Sequence, residues 1–206
     1  MNIGLRILAF CLVSALSLAV KAQSSAPDDA ATQVESAQYA RQLSSGDPLT
    51  RQGAAEALGR LAAVDQKKLV EGYVLQEKDK RVRLALNWAL YRMGKSQTLF
   101  AIVRDLDSSR HEQAANYLTQ LESPAPLYLF LRQENLTPKV TARLLEVLGR
   151  IGDVETLDQI KPFTDSFDPN ISEAAQTSTN MIQHRLDQPQ APTKTRPRVI
   201  GKGEQP

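Results

Sequence analysis

The stretch Asp79-Lys-Arg-Val-Arg-Leu-Ala-Leu-Asn-Trp-Ala-Leu-Tyr-Arg-Met93 decides the fold. Its first residue carries a carboxylate that can cap the free backbone N–H groups of a helix. Behind it, Val82, Leu86, Ala89, Leu90 and Met93 recur at helical period, one apolar face of an amphipathic helix. The pattern returns on both sides. Asp47-Pro-Leu-Thr-Arg51 leads into Ala54, Ala57, Leu58 and Leu61; Asp107-Ser-Ser-Arg-His111 leads into Tyr117, Leu118 and Leu121. Thr137-Pro-Lys-Val-Thr141 leads into Leu144, Val147, Leu148 and Ile151, and Asp168-Pro-Asn-Ile-Ser172 leads towards Ile182. The anchors Asp47, Asp79, Asp107, Thr137 and Asp168 lie 32, 28, 30 and 31 residues apart. A period of that size belongs to arrays, in which each unit buries its apolar face only by stacking on its neighbours.

Each window predicts a first helix capped by its anchor, with Pro48, Pro138 and Pro169 at the position where a missing N–H costs nothing. Gly59, Gly94, Gly149 and Gly152 fall where the first helices weaken or stop. A shorter second helix is expected over 65–78, 96–106, 124–134 and 153–163. A further helix over 30–43 precedes the array, and a Ser-, Thr-, Asn- and Gln-rich one over 169–186 closes it. No stretch alternates as a strand does. The expectation is an all-α chain, an α-solenoid of about five helix pairs over 30–187.

The ends read differently. Arg6 followed by the apolar run 7–20 and the small-x-small triplet Val20-Lys21-Ala22 predicts a cleavable signal peptide over 1–22, too short to span a bilayer. Residues 23–29 are expected to be a flexible mature N-terminus, and the protein to be periplasmic or secreted. Cys11 is the only cysteine and lies in the signal, so disulfides, thiol nucleophiles and thiolate metal sites are not expected. Loss of Arg6 and Lys21 leaves 23 basic residues against 23 acidic ones, a balance that gives no reason to expect nucleic acid as a partner. Residues 188–206 combine Pro189, Pro192, Pro197 and Pro206 with Lys194, Arg196, Arg198 and Lys202. That composition predicts a disordered basic tail, able at most to make weak electrostatic contact with a membrane or polyanion surface.

The segments Val82-Arg83, Ala57-Leu58-Gly59 and Leu148-Gly149-Arg150-Ile151-Gly152-Asp153 resemble HEAT repeats, and the short unit is similar to the HEAT-like repeats of the phycobilisome-lyase type. The resemblance covers 47–186. It implies paired antiparallel helices stacked into a right-handed solenoid, with second helices lining a concave, partner-binding face. It also implies a structural ladder of Arg and Asp along the turns, here Arg51, Arg83, Asp65 and Asp153. The main functional expectation is a non-catalytic exported scaffold or adaptor that binds another envelope protein. The alternative is an enzyme, or an accessory subunit, of the HEAT-like lyase or hydroxylase type.

Little in the chain speaks for chemistry. His111-Glu112 is the one His-Glu pair, and a metal site needs three or four ligands, so no metal and no cofactor are expected. Nucleophile elbows, zinc-protease helices and phosphate-cradling loops are absent from the sequence. A bilin role suits neither the export signal nor the 5% aromatic content. One constellation points to binding. Glu71, Arg104, Arg132 and Lys161 stand 24 or 25 residues after their anchors, and Lys68, Tyr128 and Asp158 stand 21 after theirs, one helical turn away. These seven residues are expected to form a strip along the second helices for an extended acidic segment of a protein partner, with Tyr128 as its aromatic anchor. Trp88 is expected in the core.

Overall fold

The computed structural model describes residues 27–133 and 136–188; the expected signal segment and nearly all of the basic tail lie outside the described residues. Among the described residues the chain is all-helical, with ten α-helices and no strand. They are α1 (Pro27–Gln42), α2 (Pro48–Arg60), α3 (Lys67–Gln76), α4 (Lys80–Arg92), α5 (Leu99–Arg104), α6 (His111–Leu118), α7 (Ala125–Leu131), α8 (Pro138–Ile151), α9 (Val154–Ile160) and α10 (Pro169–Asp187). The first helix starts earlier than expected, taking in Pro27 to Asp29 from the stretch read as flexible. The second helices α5 and α9 are shorter than the spacing suggested, because 3₁₀ turns at Ser96–Thr98, Asp105–Asp107 and Lys161–Phe163 take up their ends; α7 ends at Leu131.

Four of the five anchors cap the helix they precede. Asp47 accepts from Leu49 and Thr50 N–H, Asp79 from Arg81 and Val82, Thr137 from Val140, and Asp168 from Asn170 and Ile171. Each bond satisfies a donor that the first helical turn leaves free. Asp107 does not cap. It closes the 3₁₀ turn that continues α5, and α6 starts only at His111 with no side-chain cap. Its carboxylate instead meets Lys139, 3.3 Å away across the next window. The shortest interval between anchors ends here, so the second helix and its turn run into the place where a cap would stand.

The apolar phase survives that irregularity. Ala54, Leu86, Ala114, Leu144 and Ala175 hold one place in successive windows, and Leu58, Leu90, Leu118 and Leu148 another; all nine are buried. Together with Leu43, Val70, Trp88, Ile102, Leu106, Leu127 and Ile160 they join one continuous core. The most extensive packing joins α2 to α4 and α8 to α10, while α6 touches α4 and α8 more sparsely. Aromatic rings fill the wider gap: Trp88 stacks on Tyr117 with centroids 5.6 Å apart and on Tyr91 at 5.8 Å.

Two glycines behave differently from the expectation. Gly59 and Gly149 lie inside α2 and α8 rather than ending them. A Cβ at Gly59 would sit 3.2 Å from Ala89 Cα, and one at Gly149 would sit 2.9 Å from Ser178 Cα. Both therefore permit close approach of the next first helix. Gly94, at φ +85°, is the glycine that ends a helix through the left-handed region. At the far end Arg185 of α10 donates to Gly149 and Gly152 carbonyls, satisfying the C-terminal end of α8.

The Arg–Asp ladder does not form as the resemblance implied. Arg51 makes a two-pronged pair with Glu77, Nε to Oε2 at 2.7 Å and Nη2 to Oε1 at 2.9 Å. Asp65 accepts from Ser36 and Gln66, and Asp153 caps α9. The Arg51 and Glu77 side chains are 17% and 5% exposed, so the pair is largely withdrawn from water. Arg51 hydrogen bonds hold the Glu77 carboxyl below its ordinary 4.5, against a desolvation that pushes it up. A depressed folded value means stability present above about pH 4.5 and lost as pH falls through the folded value beneath it. Arg51→Met should therefore cost about 1–3 kcal/mol near neutral pH, between the exposed and buried limits for such pairs. The gap from wild type should narrow below pH 4.5. Urea midpoints from pH 7 to pH 3 check this; a gap that is constant with pH would contradict it.

Candidate functional site

The seven residues of the expected strip do not share one fate. Lys68, Arg104, Arg132, Asp158 and Lys161 are exposed. Glu71 is half-buried and its Oε1 accepts from Lys95 Nζ at 2.6 Å, which removes it as a free carboxylate. Arg132 donates to Gln159 at 3.1 Å, joining the end of α7 to α9. Tyr128 corrects the expectation: its side chain is in the core, 5% exposed, with its hydroxyl 2.7 Å from Thr156 Oγ1. It offers no exposed ring to a partner. Burial, opposed by the bond to Thr156, pushes its phenol up. The reason is helical phase: Leu127, Tyr128 and Leu131 are consecutive inward positions of a seven-residue helix. Trp88 is buried, as expected.

Around Arg104 the surface is concave in two directions. On one side lies a groove of about 560 Å³ between α5 and α7, lined by Phe100, Val103, Phe130, Leu136, Thr137 and Val140, with Arg104 and Asp107 at its edge. Phe100, 57% exposed, meets Phe130 edge-on with centroids 4.9 Å apart. On the other side lies a smaller pocket of about 280 Å³ between α4 and α5, where Lys80, Arg83, Arg104 and Arg110 gather round one carboxylate, Asp105. Sequence reasoning missed Phe100 and Arg110 as binding candidates and favoured a place in the structural ladder over a binding role for Arg83. A signal for Arg83 existed: Arg51 and Arg83 hold the same place, but Glu77, two residues before the second anchor, is matched before the third by the shorter Asp105.

The first helices carry a second series of depressions, each of about 400–460 Å³. Gln52, Glu56, Glu112, Gln113 and Gln120 surround the Trp88–Tyr117 stack; Glu112, Arg143, Glu146 and Arg150 line the next; Glu146, Arg150, Glu173 and Thr177 line the last. Tyr117 donates to Glu56 at 2.6 Å, and burial, followed by that carboxylate, keeps the phenol protonated far above its ordinary range. Acids and arginines alternate along this side, so it favours neither sign of charge. The Arg104 side has both an apolar groove and a surplus of cations.

Among the described residues no three His, Cys, Asp or Glu side chains come together as a metal-ligand set, and no helix is long and apolar enough to cross a membrane. His111 is half-buried with Nδ1 3.2 Å from the Ser108 carbonyl. The chain matches no known protein-family model and no curated protein sequence.

Proposed function

We propose that the protein is a non-catalytic, exported scaffold or adaptor, a right-handed HEAT-like α-solenoid that holds a protein partner along its second helices. The partner contributes an extended segment with acidic and apolar residues. The observation that carries the reading is the company of Arg104. It sits at the edge of the Phe100–Phe130 groove, and the exposed cations Arg132 and Lys161 follow at the corresponding places in the next two windows. The recurrence of the buried positions from window to window supports the solenoid part of the reading. In such a complex the groove takes an apolar side chain, and the three cations steer the acidic groups of the segment and fix its register.

The test uses a fluorescent peptide of alternating Glu and Leu, followed by anisotropy. Wild-type binding should weaken from 0.1 to 1 M salt, as the Debye length falls from ~10 to ~3 Å. Reversing Arg104, Arg132 and Lys161 together to Glu should reduce binding to background with helical circular dichroism unchanged, because all three side chains are exposed. A triple variant that binds as wild type does would end the proposal.

A further inference from the structure

The polar pocket beside Arg104 carries charge that the fold does not use. In the first window Arg51 is matched by Glu77 through two hydrogen bonds. In the second, Arg83 stands at the same place, but Asp105 is already bound by Arg110 Nη2 at 2.5 Å. Among the described residues Arg83, Arg104 and Lys80 have no ion-pair partner, and Arg110 keeps a buried Nε with no acceptor. Four cations against the single carboxylate of Asp105 leave a surplus of positive charge in the pocket, and an anion relieves their mutual repulsion.

We infer that the pocket lined by Lys80, Arg83, Arg104 and Arg110 binds a phosphate group. A carboxylate brings one charge and two oxygens, which a single guanidinium fork can satisfy. A phosphate monoester brings nearly two charges and three peripheral oxygens, matched to several converging donors. The volume of about 280 Å³ suits a headgroup rather than a larger ligand. The inference extends beyond the partner-binding reading, and the two share only Arg104. Arg83 belongs to the pocket alone; Arg132 and Lys161 belong to the strip alone.

The test is isothermal titration of the full chain with inorganic phosphate, glycerol 3-phosphate and acetate at one ionic strength. Saturable binding of phosphate is expected, with acetate at least tenfold weaker. Arg83→Gln should weaken phosphate at least tenfold, as loss of a hydrogen bond to a charged group implies. Arg60→Gln, on an exposed residue of α2 outside this pocket, should leave it unchanged. Preference for glycerol 3-phosphate assigns the pocket to a lipid-type headgroup; preference for inorganic phosphate assigns it to the free ion; both uphold it. Acetate binding as tightly as phosphate, no saturable binding, or an Arg83→Gln variant that binds normally would overturn it. Peptide binding that survives Arg83→Gln while phosphate binding is lost keeps the two readings separate.

Discussion

Leu90→Asp should leave most of the protein unfolded at room temperature. Leu90 is 1% exposed in the last turn of α4, the helix that packs on α2, α3 and α5. Truncating such a leucine costs about 2–5 kcal/mol for lost burial and the cavity left behind. An aspartate adds the cost of a polar or charged group with no partner, a further few kcal/mol. The sum is comparable to the whole stability of a small domain, ~5–15 kcal/mol. Arg104→Asp, at an exposed position of α5, should stay within ~0.5 kcal/mol of wild type. Urea unfolding of the two variants decides: similar midpoints would mean that the buried face of α4 has been assigned wrongly.

Two glycine-to-alanine changes should move stability in opposite directions. Helix propensity alone makes either change favourable by roughly 0.8–1 kcal/mol. Gly72 lies in α3, and a Cβ there meets nothing within 4 Å, so Gly72→Ala should gain most of that amount. Gly149 lies against Ser178, and a Cβ there falls 2.7 Å from the hydroxyl and 2.9 Å from Cα. Because one of those atoms is backbone, α8 and α10 must separate. That movement also strains the buried bond from Ser178 Oγ to the Leu145 carbonyl, 2.8 Å long. Overpacking of this kind costs about 1–3 kcal/mol, enough to outweigh the propensity gain. Thermal melts showing both variants stabilised would remove the close α8–α10 contact from this account.

The contrast between these residues shows what the chain declares locally and what it does not. Leu86, Leu90, Leu144 and Leu148 were legible as core because a helical period is a property of neighbouring residues. The caps at Asp47, Asp79, Thr137 and Asp168 were legible for the same reason. Asp107 misled because its role depends on where α5 and its 3₁₀ turn end, which the cap pattern does not encode. Gly149 was read as a stop because the residue it admits, Ser178, is 29 positions away. Tyr128 was placed on a surface by counting from an anchor. In a seven-residue helix each residue of error turns a side chain by about 100°, enough to move it from surface to core. The pocket at Arg83 escaped because it arises from a missing partner, visible only once Asp105 is seen committed to Arg110.

Hydrogen exchange of the full chain, with and without the Glu–Leu peptide, tests most directly where the protein binds. The account predicts slowed exchange in α5, at the end of α7 and at the end of α9, with the exposed turns of α2, α6 and α8 unchanged. Protection confined to the first helices, around Glu56, Glu112 and Glu146, would contradict it.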